Sequence, residues 1–232
     1  MKLSTKLLLG LLLSFMILVV INAFSVKSNL TKMDKNEQFL NYEKLSDLPF
    51  KYLKVNAPEG ATGRVNILES NKSQLYVSHS WADKVIYKIN NDTLFVEFLK
   101  DPEGKPYTYD QFEKLVIVTC PDLNSLETNN VSISIDSLRQ DKLSLIGKGY
   151  GSFEFRKMNI NDFDIDLESH ASCNFYVNQF QKIRSLKASL IDTTSLNIRA
   201  INAERIEIEN GPMTGLEVNG ATLKLLTKQI KY

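Results

Sequence analysis

Four carboxylates stand at every second position from Asp162 to Glu168, as Asp162, Asp164, Asp166 and Glu168 alternate with Phe163, Ile165 and Leu167. In a strand alternate side chains share a face, so the four acids line one side at about 6.6 Å intervals. Calcium seeks several oxygens at once. That spacing, without a glycine-rich calcium loop, instead favours a solvated outer face. The same acids with Lys187 or Arg184 could serve a polysaccharide lyase or a glycosidase, whose chemistry needs a positioned base or a carboxylate pair. Such enzymes build clefts from long insertions, and this stretch is too regular to hold one. His79, in Val77-Ser78-His79-Ser80-Trp81, and His170 have no partner in a ligand motif. Cys173 falls in core phase, and Cys120 falls at a different phase, which argues against a disulfide between them. The sequence has no Gly-x-Ser-x-Gly elbow, P-loop or GxGxxG after a strand. No catalytic, cofactor-binding or metal-binding residue is therefore assigned, and no cofactor is expected. The remaining hint is aromatic. Tyr87, Phe98 and the loop from Asp101 to Asp110, with Tyr107 and Tyr109, form either an interaction site or a cover over one end of the fold.

Composition limits what these residues can be attached to. The chain has 232 residues, 28 Lys+Arg against 27 Asp+Glu, 43% hydrophobic residues and two Cys. This is a globular composition, with no support for a disulfide scaffold or a disordered tail. The near-neutral charge and scattered basic residues give no reason to expect nucleic acid. Residues 1–27 stand apart. Lys2 and Lys6 precede Leu7 to Phe24, a run broken only by Gly10, Ser14 and Asn22. As a helix those residues span about 27 Å, the lower limit for a bilayer core. They read as a hydrophobic helix, serving either as an uncleaved single-pass anchor through residues 7–24 or as a cleaved signal peptide ending near Ala23-Phe24-Ser25. Both place the rest of the chain in the cell envelope, outside the cytoplasm. Residues 28–47 are polar and read as a stalk.

From residue 48 to 232 the pattern is that of short strands. Alternating runs such as Phe50 to Val55, Leu94 to Leu99 and Leu115 to Cys120 are divided by turn clusters such as Asn90-Asn91-Asp92. The second half also repeats. Leu123, Leu143, Phe163, Leu186 and Ile206 lie 20, 20, 23 and 20 residues apart. Ten residues after each mark stand Ile133, Phe153, Cys173, Leu196 and Leu216, and two further on stand Ile135, Phe155, Phe175, Ile198 and Val218. Small residues, Ser132, Ser152, Ser172, Ser195 and Gly215, precede the first set. Asn124, Ser144, Asp164, Lys187 and Glu207 are expected to stack on the outer face. Ile160 is matched with Phe180, and Leu223 to Tyr232 is expected to be the final strand. About 20 residues accommodate three short strands and three corners, so the expected fold is all-β, a parallel β-helix of 20-residue coils. Residues 48–120 either join it or form a separate small β-sandwich.

Leu115-Val116-Ile117-Val118-Thr119-Cys120-Pro121-Asp122-Leu123 and the corner Gly147-Lys148-Gly149-Tyr150-Gly151-Ser152 resemble the head GIN domain of putative autotransporter adhesins, over about residues 48–225. The resemblance implies a right-handed β-helix on exported or surface-attached proteins of Bacteroidetes-type bacteria, with no established ligand and no catalytic residues. Asn129-Asn130, Ser169-His170-Ala171 and Asp192-Thr193-Thr194 stand where that family often has glycine. The expected role is a non-enzymatic, adhesin-like binding or structural module of the cell envelope, with an unidentified protein or glycan as partner. The alternatives are a carbohydrate-active enzyme and a membrane-tethered partner subunit of an envelope system.

Overall fold

The computed structural model describes residues 39–60, 63–107, 114–176, 181–199 and 201–220, residues 223 and 226, and, near the N-terminus, residues 12, 14–22 and 24. Contacts divide the chain into Met1–Asn41 and Tyr42–Tyr232. In the first unit residues 14–22 are helical. Asn22, near the end of the apolar run, donates its side-chain amide to the Leu18 carbonyl at 3.0 Å, so that donor is satisfied within the helix. Among the described residues no helix is long and apolar enough to cross a membrane. Several residues of the expected span 7–24 lie outside the described ones.

The second unit is mostly β. Its strands, in chain order, begin with β1 (Tyr42–Ser46), β2 (Tyr52–Asn56), β3 (Gly63–Glu69), β4 (Gln74–Ser78), β5 (Val85–Asn90), β6 (Thr93–Phe98), β7 (Val116–Cys120), β8 (Ser125–Asn129) and β9 (Val131–Asp136). They continue with β10 (Arg139–Lys148), β11 (Ser152–Arg156), β12 (Asn159–Leu167), β13 (Ser172–Phe175), β14 (Gln181–Leu190), β15 (Ser195–Asn197), β16 (Ile201–Asn202), β17 (Arg205–Asn210) and β18 (Gly215–Glu217). They form two large open sheets. The first runs β1-β4-β7-β3-β9-β11-β13-β15-β18, and the second runs β5-β6-β2-β8-β10-β12-β14, where β16 and β17 both pair with β14. β1, read from sequence as the end of a polar stalk, pairs antiparallel with β4.

From β8 onward the strands pair in parallel, one repeat apart. Leu143, Phe163, Leu186 and Ile206 stand in register, as do Phe153, Cys173 and Leu196 one sheet over. Every second residue turns inward and is buried, which follows from the two-residue period of a strand. Phe155 and Phe163 meet edge to face with centroids 5.3 Å apart, and Phe175 lies 4.8 Å from Phe155, so rings from both sheets interlock in the core. Burying each such side chain contributes about 1.5–3 kcal/mol before chain entropy is set against it. The corners take left-handed backbone. Asn130, Gly149, Ser169 and Asp192 have φ of 57°, 67°, 65° and 62°. Short polar side chains tolerate that region, which explains how this chain turns without a glycine at most corners. Gly149 makes room for its neighbour, since a Cβ there would lie 2.1 Å from the Asn130 Oδ1.

Three expectations are corrected. Leu123 is not level with Leu143, because Ser125 pairs with Ser144. A single corner residue, Asn130, separates Asn129 from Val131, where the next coil has Gly149 and Tyr150 between Lys148 and Gly151, and this moves β8 by one position. Ile160 pairs with Ile183, not Phe180. Phe155 still pairs with Phe175, so the three extra residues sit between Phe175 and Gln181, before β14 rather than within it. Phe180 lies outside the described residues. Finally, Gly220, Leu223 and Leu226 are helical, so the chain does not end the fold with the expected strand there.

Both defects are mended by glutamine. Gln181, 1% exposed, accepts from the Met158 N–H at 2.8 Å and donates to the Phe155 carbonyl at 3.0 Å. Gln140 accepts from the Leu123 N–H at 2.9 Å and donates to the Leu123 carbonyl at 2.6 Å. Each amide gives the neighbouring backbone both a donor and an acceptor, and the Phe155 carbonyl also accepts from the Tyr176 N–H at 3.3 Å.

At the other end chain order and spatial order part company. β2 lies between β6 and β8, and β3 between β7 and β9, all in parallel. Residues 52–69 therefore join the same two sheets as the repeats. The antiparallel strands β5, β4 and β1 close that end.

Candidate functional site

The hairpin of β5 and β6 turns at Asn91 and Asp92, whose φ of 48° and 59° suit a tight two-residue turn. Its register places Lys88 opposite Phe95 and Ile86 opposite Glu97 on the outer face. β2 then sets Lys54 beside Phe95 and Asn56 beside Glu97, and β8 sets Glu127 beside Lys54 and Asn129 beside Asn56. All of these but Ile86, together with Lys148 of β10, line an open groove of about 400 Å³. A smaller hollow of about 90 Å³, lined by Ile86 and Tyr87, shares Lys88, Phe95 and Glu97 with it. Phe95 is thus a ridge between two depressions. Its neighbours Leu94 and Val96 point into the core at 0% and 2% exposure, so the strand's alternation forces Phe95 outward.

Charges in the groove are largely matched. Lys54 Nζ lies 2.5 Å from a Glu127 carboxylate oxygen, and Lys148 Nζ lies 3.5 Å from Glu168. Lys88 Nζ stands 5.1 Å above the Phe95 ring. Asn129 donates to the Asn56 Oδ1 at 3.0 Å.

Farther along the same face lie the four acids. Asp164 pairs with Lys187 across the ladder, and Lys187 with Glu207, as the alternating signs suggested, while Asn124 is replaced in that row by Ser125. Arg184 reaches Asp162 at 3.6 Å. Partial burial, and then the neighbouring charge of Asp164, hold the Asp166 carboxyl above its ordinary range, with Lys187 acting the other way. Among the described residues no group of three or more His, Cys, Asp or Glu is placed to hold a metal ion.

The aromatic loop is a cover in its described part. Tyr107 meets Trp81 edge to face at 5.8 Å, and Lys84 Nζ stands about equally over both rings, at 5.1 and 5.2 Å. Trp81 also meets Phe98 at 6.3 Å, and both are buried. Asp101 Oδ1 accepts from the backbone N–H of Glu103 and Lys105, which folds the loop tip on itself. Tyr109 lies outside the described residues. Tyr87 donates to the Leu45 carbonyl at 2.5 Å. His79 opens a short 3-10 turn, and His170 stacks on Tyr150 at a corner, with centroids 4.4 Å apart. Cys120 and Cys173 are free and buried. Burial pushes the first thiol up to about 12 and the second well above its usual range, which disfavours the thiolate at both.

Residues 51–219 match the family described as "Putative auto-transporter adhesin, head GIN domain". The chain belongs to this family. Two solved structures similar to this head GIN chain are a putative adhesin from Bacteroides fragilis NCTC 9343 and one from Parabacteroides distasonis ATCC 8503. The first is 14% identical, with a TM-score of 0.47, over 77% of this chain and 96% of that one. The second is 12% identical, with a TM-score of 0.46, over 76% and 80%. No curated protein matches. The groove residues Phe95, Lys54, Asn56, Glu127 and Asn129 were not singled out from sequence. The alternation marks each as outward, but only the insertion of β2 between β6 and β8 brings them together.

Proposed function

We propose that this head GIN chain is a non-enzymatic, adhesin-like binding module of the cell envelope, built on a right-handed parallel β-helix. Parallel pairing of strands about 20 residues apart, with buried apolar rows in both sheets, supports the β-helix. In this reading residues 1–27 export or anchor the chain, a polar stalk follows, and the domain presents the outer face of its second sheet to a ligand. The observation that carries the binding role is the groove around Phe95. An apolar ring stands outward among polar side chains, and the carboxylate of Glu127 is held by Lys54 rather than poised for acid–base work.

Protease shaving and labelling of a tag after Tyr232, in intact and in lysed cells, tests the location. Exposure on intact cells is the expected result. Exposure only after rupture of the envelope would contradict the adhesin-like reading and favour a periplasmic partner role. Intact-mass measurement of the purified chain distinguishes a retained segment 1–27 from a cleaved one.

A further inference from the structure

We propose that the groove around Phe95 binds an uncharged saccharide, its ring carrying a sugar's C–H face and the flanking amides its hydroxyls. The inference rests on reading this face as the ligand surface and adds the ligand's chemistry. The first argument is the ring. An aromatic face carries partial negative charge, which attracts the polarised C–H groups on one side of a pyranose. Lys88 already exploits that face at 5.1 Å. An exposed ammonium–ring contact is weak, so a sugar displaces it readily.

The second argument is the polar set. Asn129 gives one amide hydrogen to Asn56. Asn56 keeps its NH2 donors and Asn129 its carbonyl oxygen, and with the Glu97 carboxylate they offer the mix of donors and acceptors that vicinal hydroxyls require. The third is charge. Lys54 is held by Glu127 and Lys148 by Glu168, so a polyanion would have to break pairs that a neutral ligand leaves intact. Asp164 and Asp166 continue on the same face, with Lys187 beside Asp164. A volume of about 400 Å³ lies within the usual small-ligand range of about 300–1,000 Å³.

The experiment is titration calorimetry of the full chain against a panel of neutral oligosaccharides, with sulfated and uronate-bearing ones beside them, at low and high salt. A neutral member should bind with little salt dependence. Phe95→Ala should weaken it at least tenfold, Phe95→Trp should retain it, and both should melt near the parent temperature. Asn129→Ala should weaken it severalfold. Binding to charged members alone, loss of binding in high salt, equal binding by Phe95→Ala, or no binding across the panel would each overturn the proposal. A parallel assay of the same variants on whole envelopes separates the two readings. If Phe95→Ala abolishes envelope binding while the panel stays silent, the groove remains the ligand surface and only the saccharide falls. If envelope binding ignores Phe95, the groove itself falls.

Discussion

The repeats from β8 to β18 and the end formed by β1 to β7 share the same two sheets but are assembled differently. In the repeats each strand lies on the strand one coil earlier, so stacked side chains come from positions about 20 residues apart. At the other end Asn56 meets Asn129 across 73 residues of chain, and Phe95 reaches the same surface from a third segment. The regular part therefore concentrates stability, since every coil buries rings and aliphatic chains against the next. The irregular part concentrates difference, since three unrelated segments bring unlike side chains to one face. The proposed ligand surface lies where the repeat is broken, and the variants below test that division.

The largest effect is expected inside the repeats. Phe153→Ala or Phe163→Ala empties a fully buried site and should cost about 3–5 kcal/mol in urea denaturation. Phe95→Ala, on the outer face and only half-buried, should cost clearly less by the same measurement, and a comparable loss at both positions would break the comparison. Gly151→Ala comes next. Its Cβ would lie 2.5 Å from the Val131 carbonyl oxygen, and because backbone cannot swing away the loss should be about 1–3 kcal/mol. Gln181→Leu should cost about 1–3 kcal/mol, because it leaves the Met158 N–H buried and without its acceptor, while the Phe155 carbonyl keeps the Tyr176 N–H at 3.3 Å. The smallest is Arg64→Ala, which removes the 3.0 Å ion pair with Glu154 at about one-fifth exposure and should cost under about 1 kcal/mol.

Asp166 supplies a pH test. Its carboxyl is held above the ordinary range in the folded chain, so its contribution to stability is full below the ordinary carboxylate value and is lost as pH rises through the raised one. Asp166→Asn should therefore be more stable than the parent at neutral pH and should show a shallower fall in stability as mildly acidic solution is brought to neutral. An unchanged pH profile would show that burial and the neighbouring carboxylates do not raise it.

Much of this was legible because a periodic fold writes its contacts at a fixed interval. The rows Phe153, Cys173, Leu196 and Phe163, Leu186, Ile206 could be read off and are paired as expected. The reading slipped where a corner changed length, since apolar spacing reports strands and is blind to the residues between them. Asn130 alone does the work of Gly149 and Tyr150, and residues 176–180 hold the extra length before β14. The two glutamines left no signal either, because a lone polar residue near the start of a strand reads as solvated. The groove was illegible for a stronger reason. β2 pairs with strands far away on both sides, and no local pattern states which distant edge a strand will choose.

The most direct measurement is peptide-resolved hydrogen exchange on the full chain, with and without the tightest-binding saccharide of the panel. Slower exchange confined to residues 52–56, 86–97 and 125–129 is the predicted result. Protection centred on the repeats from β11 to β17, or no ligand-dependent protection at all, would contradict the assignment of binding to the irregular end of the two sheets.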